Sequence, residues 1–457
     1  MQMTSAPLPT VRSLLLIDAT GRGHALAECL TRTDPEVTVI YAPGTALVAT
    51  PRIVPVPGAD LADPDGLATL CERIRPDLVV VSHIDALSRG AVDAIRARGF
   101  PTVGPTRAAA RLEGSKSVMK EFCARHGLPT ARGRTFDDRE AAKEYARNVA
   151  YPHLVKADGL CDRGDGAIIC GNVQEAIAAI DRLADRELFG EAGRRVILEE
   201  FLEGSELSFF ALVCGDTASI FATAMDYKRR SDGDRGPNCD GMGSVSPHPL
   251  ESPELTDTLD RQILRPFLAG LRRDALDYTG FVYFGLSLTR QGPKILEINV
   301  RFGDSEAESV FPRLRSPLAL MLARAARRVP IPDPPVFCED VCVSVALVQG
   351  PAPGETGPGW PDHPTWGGQE ISGLRRAVAA DSRLFIANIA TDRRGRPLTS
   401  GGRVLHATGF GADYDAARQA AYRAALQVQF CGKGLRTDIG RGLPAPMLRL
   451  STPLVPG

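Results

Sequence analysis

Short apolar runs alternate with amphipathic stretches through residues 13–104. The run Ser13–Asp18 holds four consecutive aliphatic residues before a Gly-containing turn, which predicts a buried parallel strand leading into a helix at 24–30. Further strands are predicted at 36–41, 78–82 and 100–104, and a helix at 91–98. Strands that alternate with helices in this way predict a small doubly wound α/β sheet.

The middle of the chain mixes helical and strand periodicity. A Gly-rich polar loop at 157–166 separates predicted strands at 151–156 and 167–170, and such a hairpin can close over a ligand. The strand predicted at 195–204 includes adjacent carboxylates, Glu199 and Glu200, which either bind a ribose or form a polar strand end. The other predicted elements are a helix stopping at 126–129, helices at 172–184, 256–278 and 317–328, and strands at 206–213, 281–289 and 294–300.

Two segments are predicted to lack regular structure. Residues 228–247 are rich in Gly, Asp and Arg, and their apolar content is so low that only a ligand or a neighbouring subunit is expected to order them. Residues 330–335 are Pro-rich and are predicted to be a linker. Strands predicted at 341–348, 384–391 and 403–408, with a helix at 413–428, then indicate a C-terminal α+β domain and a loose tail from 440.

The strand predicted at 294–300 carries the most specific candidate chemistry. Glu297, Asn299 and Arg301 are spaced two apart, so they should lie in one row on one face. Carboxylate and amide oxygens suit a hard cation such as Mg²⁺, and an adjacent Arg suits a carboxylate or phosphate. The alternative is an amphipathic strand with a solvated face. Lys116 and Lys120 lie one helical turn apart. Composition alone favours a solvated lysine face for this pair.

Composition narrows the class of protein. The chain has 457 residues, 44% hydrophobic and 24% charged, which predicts a globular protein of two to four domains. Its net charge of −1 gives no indication of nucleic acid or an anionic membrane as a partner. No apolar run approaches the roughly 20 residues that span a bilayer. Residues 1–10 lack the features of a signal peptide, so a short disordered extension and a cytoplasmic location are expected. Ten cysteines without a C-x-x-C pair predict buried free thiols.

Short motifs follow one another in a characteristic order. They are LEGSK at 112–116, VKADGL at 155–160, EEFLEG at 199–204, GPN at 236–238 with GMG at 241–243, LEINVRFGD at 296–304, SGGR at 400–403 and DIG at 438–440. In these motifs, from about residue 14 to residue 440, the chain resembles the glycinamide ribonucleotide synthetases (phosphoribosylamine–glycine ligases), ATP-grasp enzymes of purine synthesis.

The resemblance implies a multidomain fold of α/β and α+β parts. It has a doubly wound N-terminal domain (11–105), a central ATP-grasp domain (106–125 and 196–330), a small lid (126–195) and a C-terminal α+β domain (336–440). It also implies a ligase that forms a C–N bond through an acyl phosphate and releases ADP and phosphate. In the family the acid is glycine and the amine is 5-phosphoribosylamine. The implied cofactors are ATP and Mg²⁺, with Mn²⁺ as a substitute, and a monomer or weak homodimer is expected.

The resemblance assigns roles to individual residues. Lys116 and Lys156 would reach the nucleotide phosphates, and Glu297 and Asn299 would ligate the metal. Arg301, Lys156 and Arg163 would be the catalytic cations. The remaining nucleotide contacts would be Glu199, Glu200, Leu202 and Glu206, and the remaining substrate contacts Gly21, His24, Asn238, Gly241, Asp304 and Arg403, with Arg301 also touching substrate.

Departures from the family pattern concentrate away from the nucleotide. The first turn, close to G-S-G-G-R-E-H in the family, is DATGRGH at 18–24, and the second loop, close to G-P-E-A-P-L, is SHIDAL at 82–87. The lid motif G-K-G is GDG at 164–166, so Arg163 is expected to supply the missing charge. The sequences N-T-G-G-M-G and D-P-E-T-Q are NCDGMG at 238–243 and DSEAE at 304–308.

Three interpretations of these departures remain open. The chain is a drifted member of the family, a paralogue joining a different acid and amine in specialised metabolism, or a non-catalytic ATP-binding relative. The first two loops belong to the phosphoribosylamine site in the family, and Asp18 would repel a phosphate at a helix N-terminus. We therefore predict that glycine and phosphoribosylamine are a weak substrate pair for this chain.

Overall fold

The computed structural model describes residues 10–161, 166–185, 190–239, 241–350 and 367–445. The strands are β1 Ser13–Asp18, β2 Thr38–Pro43, β3 Ile53–Pro55, β4 Leu78–Val81, β5 Thr102–Val103, β6 Gly133–Phe136, β7 His153–Ala157, β8 Ala167–Cys170, β9 Val196–Glu200, β10 Ser205–Cys214, β11 Thr217–Asp226, β12 Arg229–Ser231, β13 Arg235–Asn238, β14 Gly243–Ser246, β15 Thr279–Thr289, β16 Gly292–Asn299, β17 Val341–Gln349, β18 Ser382–Ile386, β19 Ile389–Thr391, β20 Pro397–Thr399, β21 Arg403–Gly411 and β22 Lys433–Gly434.

The α-helices surround these sheets. They are α1 Gly21–Thr33, α2 Pro64–Ile74, α3 Ile84–Arg89, α4 Ala91–Ala97, α5 Arg107–Gly114, α6 Lys116–His126, α7 Arg139–Arg147, α8 Val173–Leu183, α9 Pro253–Leu259, α10 Arg265–Arg273, α11 Asp304–Val310, α12 Leu318–Ala326, α13 Leu374–Ala377 and α14 Tyr414–Gln427. Residues Asp260–Leu264 form a π-helical turn that joins α9 to α10. This continuous helical run confirms a helix in the region predicted at 256–278, although it begins at Pro253 and ends at Arg273.

The N-terminal sheet is parallel and has the strand order β3-β2-β1-β4-β5. Its order reverses on either side of β1, which makes the turn after β1 the natural place for a ligand. The aliphatic residues Leu14 to Ile17 of β1 are fully buried, as their continuous apolar run predicted. The doubly wound sheet expected from the sequence is confirmed.

A second, larger sheet forms the centre of the molecule. Its main path is β16-β15-β10-β11-β14-β17-β21-β18, and the β15–β16 hairpin is the one that the sequence predicted. Phe302 lies just beyond β16 and stacks on Phe210 of β10, with ring centroids 4.0 Å apart. Such aromatic pairs contribute about 0.5–1.5 kcal/mol beyond their buried area, so this contact fixes the end of the strand that carries the candidate metal ligands.

The C-terminal strands continue the same sheet. β14 pairs with β17, and β17 pairs with β21, so the strands after the Pro-rich segment are joined to the central ones by backbone hydrogen bonds. The single strand predicted at 384–391 is wrong. The chain there forms β18 and β19 in two different sheets, because residues 387–388 leave the extended ladder between them.

A third, four-stranded sheet has the order β6-β9-β7-β8. The β7–β8 hairpin predicted around the Gly-rich loop is confirmed. This sheet is tied to the central one where Thr130 Oγ1 donates to Ile295 O at 2.8 Å and Ile295 N donates to Pro129 O at 2.8 Å. The two sheets therefore meet beside β16.

All ten cysteines are free thiols, most of them buried, as predicted. Within the described ranges, no helix combines the length and the apolar character needed to cross a membrane.

The expectation that only a ligand or another subunit would order residues 228–247 is wrong. This segment contains β12, β13 and β14, and the protein itself holds it in place. Arg436, which is 1% exposed, donates to Asp234 at 2.8 Å and to Asp438 at 2.8 Å, and its guanidinium lies over the Tyr227 ring at 5.0 Å. A distant buried arginine thus replaces the apolar contacts that the segment lacks.

We expect Arg436→Ala to lower the free energy of unfolding by about 3 kcal/mol, because it leaves carboxylates uncompensated and removes a buried side chain. Urea unfolding followed by circular dichroism measures this loss. The matched control is Arg441→Ala, at an exposed arginine five residues after Arg436, which should change stability by less than about 0.5 kcal/mol. Equal effects of the two substitutions would contradict the role given to Arg436.

Candidate active site

Lys116 and Lys156 lie where the third sheet meets helix α6. Lys116 is the first residue of α6, and its Nζ donates to Gly159 O at 3.0 Å. Asp158, which follows β7, accepts from Ser117 N at 2.7 Å and so holds the start of α6 against the loop. Burial lowers the pKa of Lys116, which means that its ammonium lacks full solvation and would gain from an anion.

Glu199 joins two lysines in the same region. Its carboxylate forms an ion pair with Lys156, and its other oxygen lies 2.5 Å from Lys120 Nζ. Glu199 is 1% exposed, and although burial alone would raise its pKa, Lys156 and Lys120 hold that pKa below its usual value. Lys120 therefore belongs to the site, and the interpretation of a solvated lysine face is wrong for this residue.

The other residues assigned to the nucleotide follow β9. Glu200 Oε1 accepts from Arg132 N at 2.9 Å and lies 3.5 Å from Lys294 Nζ, so its side chain joins the third sheet to the central one. Leu202 is half-buried just after β9. Glu206, on β10, lies 3.4 Å from Lys228 Nζ.

Glu297 and Asn299 lie on β16, in register with Gly285 and Tyr283 of β15. A side chain at Gly285 would displace Glu297, because its Cβ would lie 2.8 Å from Glu297 Cγ. Lys228 Nζ is 3.0 Å from Glu297 Oε1, and although burial would raise the pKa of this carboxyl, Lys228 lowers it to about 2. Glu297 is therefore ionised throughout the physiological pH range.

Arg301 lies just beyond β16 and is held by a carboxylate that the sequence analysis did not single out. Its Nε and Nη2 reach Glu113 Oε1 at 3.0 and 2.8 Å, and Nη2 also donates to Asn299 Oδ1 at 3.3 Å. Glu113 in turn accepts from Val300 N at 2.8 Å. Arg301 thus connects helix α5, the end of β16 and the amide of Asn299.

Helix α11 presents carboxylates to two different places. On one side, Ser305 Oγ donates to Asp226 Oδ1 at 2.6 Å and lies 3.2 Å from Glu306 Oε2. Burial, and then the nearby Glu306, raise the pKa of Asp226 to about 8. A Cβ on Gly241 would lie 2.7 Å from Asp226 Oδ1. The absence of a side chain at Gly241 therefore lets the backbone of the GMG segment pack closely against Asp226.

On the other side of α11, Asp304 and Glu308 face the turn after β1. Asp304 forms an ion pair with Arg403 and accepts from Arg22 N at 3.2 Å. Both arginines hold the pKa of Asp304 far below its usual value despite burial. A Cβ on Gly21 would fall in direct contact with Glu308 Oε1.

His24 and Asn238 have structural contacts of their own. His24 Nδ1 accepts from Ile386 N at 2.9 Å, which ties α1 to β18, and burial lowers the pKa of His24 to about 4. Asn238 ends β13 and is paired with Arg229 of β12. The role expected for Arg163, like the change in the GDG motif, lies outside the described residues.

The sequence analysis missed four members of this arrangement: Lys228, Asp226, Glu306 and Glu113. It placed Lys120 one turn after Lys116 but interpreted it only as part of a solvated lysine face. Lys228 and Asp226 stand at the border of the segment that was predicted to be irregular, where strand periodicity gives no signal. For Glu113 the sequence offers only its place in the LEGSK motif, since its partner Arg301 is distant along the chain.

Family models cover most of the chain. The N domain, the ATP-grasp (A) domain and the C domain of phosphoribosylglycinamide synthetase match residues 12–113, 114–307 and 356–442. Curated proteins named phosphoribosylamine–glycine ligase are similar over nearly their whole length. The protein of Caulobacter vibrioides is 38% identical over 430 residues, with 94% of this chain and 97% of that protein covered. That of Xylella fastidiosa is 41% identical over 431 residues, with 93% and 97% covered.

Solved structures show the same architecture. The crystal structure of phosphoribosylamine–glycine ligase from Thermotoga maritima matches with a TM-score of 0.76 at 30% identity, covering 93% of this chain and all of that one. The biotin carboxylase domain of the Hydrogenobacter thermophilus 2-oxoglutarate carboxylase, solved with MgADP and bicarbonate, matches with a TM-score of 0.69 at 14% identity, covering 93% and 92%. This second likeness concerns the fold alone, and both agree with the ATP-grasp fold expected from the motifs.

Proposed function

Since the chain belongs to the phosphoribosylglycinamide synthetase family, we propose that it activates an amino acid with ATP and transfers the acyl group to an amine. The expected fold and the assignment as a C–N bond-forming ligase of the ATP-grasp class agree with the phosphoribosylamine–glycine ligases compared above. Glycine is the proposed acid, because the relatives are named for it. An acceptor amine is proposed to bind near the turn after β1.

The reaction has two steps that the site is built to support. A carboxylate oxygen of the amino acid attacks the γ-phosphorus of ATP, and ADP leaves. The amine nitrogen then attacks the acyl carbon, loses a proton, and phosphate leaves. Both reactants of the first step are anions, so cations must offset their repulsion and fix the in-line geometry.

One observation carries the proposal: cations and metal-type ligands converge where the two sheets meet. Lys116 and Lys156, on the side of the third sheet, are close enough to Glu297 on β16 for their charges to interact with its carboxylate. The tether from Thr130 to Ile295 holds the sheets at this junction. A nucleotide phosphate chain placed there would be flanked by lysines on one side and by Glu297 and Asn299 on the other.

Glu297 and Asn299 fit a magnesium ion that arrives with the nucleotide. Both supply hard oxygen donors, and the carboxylate is ionised with a pKa of about 2. Among the described residues no group of three or more Asp, Glu, His or Cys side chains gathers to hold a metal, and phosphate oxygens and water would complete the shell. When bound, Mg²⁺, or Mn²⁺ in its place, would offset phosphate charge during attack.

Domain boundaries and assembly form part of the same proposal. We propose the four domains given above, with the lid extended to Glu200, because β9 pairs with β7 and β6 rather than with the central sheet. For the assembly we propose a monomer or a weak homodimer.

Hydroxylamine trapping tests the first step without any knowledge of the acceptor. With ATP, Mg²⁺ and glycine, we expect ADP and glycine hydroxamate, because hydroxylamine captures an acyl phosphate. A panel of the other amino acids identifies the acid if glycine is not the best one. AMP and pyrophosphate would indicate adenylation and contradict the mechanism, and no nucleotide cleavage with any amino acid would favour a non-catalytic ATP-binding protein.

A further inference from the structure

Lys120, one turn after Lys116 on α6, is held in place by three contacts. Its Nζ donates to Thr130 Oγ1 at 3.1 Å and to Ala131 O at 2.8 Å, and it lies 2.5 Å from Glu199 Oε2. An ammonium has three N–H donors, so these partners engage all of them. The Lys120 side chain is 15% exposed, and its ammonium is therefore directed at the protein rather than at a ligand.

The partners of Lys120 are themselves fixed by backbone structure. Thr130 Oγ1 donates to Ile295 O at 2.8 Å, on the strand that carries the candidate metal ligands. Glu199 lies on β9 opposite Gly133 of β6, where a Cβ would lie 2.8 Å from Glu199 Cβ. The Lys120 ammonium therefore has a fixed position relative to the Glu199 carboxylate.

The carboxylate of Glu199 serves two lysines at once. One of its oxygens pairs with Lys156 and the other with Lys120, and we call these three residues the Glu199 cluster. Two positive charges and one negative charge leave the cluster with one net positive charge. Within the described ranges Lys156 makes no other polar contact, so its remaining N–H donors are available to a ligand.

Loss of the Lys120 charge would change this balance. Glu199 is 1% exposed, so water screens its charge poorly. With Lys156 as its only counterion, the buried carboxylate would hold that lysine more tightly, and the pair would carry no net charge. An arriving phosphate would then meet a neutral pair instead of a cation.

We propose that Lys120 is a positioning residue that keeps Lys156 available to the nucleotide phosphates by sharing the charge of Glu199. The inference rests on the proposed ATP-dependent function, in which Lys156 contacts the phosphates, and deepens it. Lys120 itself touches no part of the nucleotide. Two lysines one turn apart on α6 thus have different roles, Lys116 facing the phosphates and Lys120 acting through Glu199.

The non-hydrolysable ATP analogue AMPPNP and adenosine test the proposal, because adenosine lacks the phosphates. Lys120→Gln removes the charge and keeps an amide donor. By displacement of a fluorescent nucleotide, we expect the Kd of AMPPNP to rise about tenfold or more, as when one charge-assisted contact is weakened, and that of adenosine to change by less than about twofold. The KM for ATP should rise more than kcat falls. An equal loss for both ligands, or no loss, overturns the proposal.

A second substitution separates charge sharing from a loss of structure. In the double variant Lys120→Gln/Glu199→Gln, Lys156 alone restores the single net positive charge of the Glu199 cluster. We expect its Kd for AMPPNP to return to within about threefold of that of the unmodified enzyme, a coupling that a purely structural Lys120 would not produce. A folded double variant that binds AMPPNP weakly overturns the proposal, even if Lys120→Gln alone does not fold.

Lys143→Gln is the comparison variant, because Lys143 on α7 also pairs with a carboxylate, Asp181 at 2.8 Å, and should leave both Kd values unchanged. Nucleotide binding does not depend on turnover. An unmodified enzyme that binds AMPPNP but forms no hydroxamate would refute the ligase function alone. An unmodified enzyme that does not bind AMPPNP would overturn both the proposed function and the role of Lys120.

Discussion

The Glu297→Gln enzyme should form ADP more slowly by on the order of 10³-fold, the size of effect seen when a group that stabilises transition-state charge is removed. The substitution keeps the shape of the side chain and removes only its charge. Glu297 is ionised at neutral pH, with a pKa of about 2, so the charge lost is a full one. The neutral amide would leave Lys228 without its carboxylate partner and would give the metal no charged ligand at this position.

Two measurements separate this effect from a loss of folding. The Glu297 side chain is 42% exposed, so loss of its pair with Lys228 should change the free energy of unfolding by no more than about 1 kcal/mol. ADP release and the Mg²⁺ dependence of nucleotide binding are followed in parallel, and both should be lost. The control is Glu254→Gln, an exposed carboxylate on α9. Normal turnover by Glu297→Gln would show that the metal assignment is wrong.

The parts of the fold that the sequence predicted well are those governed by local pattern. The β7–β8 and β15–β16 hairpins were predicted with their partners, because alternation and turn residues determine them, and β1 was predicted as a buried strand from its continuous apolar run. The structure of residues 228–247 could not be predicted in this way. A buried arginine about two hundred residues away, Arg436, determines that structure, and no local periodicity records it.

In the candidate site as well, some residues could be identified from local sequence pattern, whereas others are defined only by contacts in the folded protein. Glu297 and Asn299 were identifiable because two-residue spacing on a strand puts them on one face. Lys228 was not, because its importance comes from its 3.0 Å approach to Glu297 across the sheet. The pairing of Asp18 was not predictable either, since a sequence shows an added carboxylate but not the guanidinium of Arg22 that closes on it.

Arg301 illustrates a role that only the contacts define. The sequence analysis placed it among the catalytic cations, yet in the structure its guanidinium is engaged by Glu113, by Phe302 O at 3.0 Å and by Asn299 Oδ1. A lysine cannot reproduce this planar set of donors, so the exchange is not conservative. We therefore expect Arg301 to act by orienting Asn299 rather than by touching the substrate.

Arg301→Lys should lower kcat/KM by about 10–100-fold, as loss of a residue that supports a metal ligand does, and should raise the Mg²⁺ concentration needed for half-maximal rate. A double-mutant cycle with Glu113→Gln tests the route of the effect. If Arg301 acts through the network with Glu113, the two losses should overlap, and the double variant should be little worse than either single one. Arg265→Lys, at an exposed arginine paired with Asp260, serves as the control. Losses that multiply instead would mean that Arg301 contacts the substrate independently of Glu113.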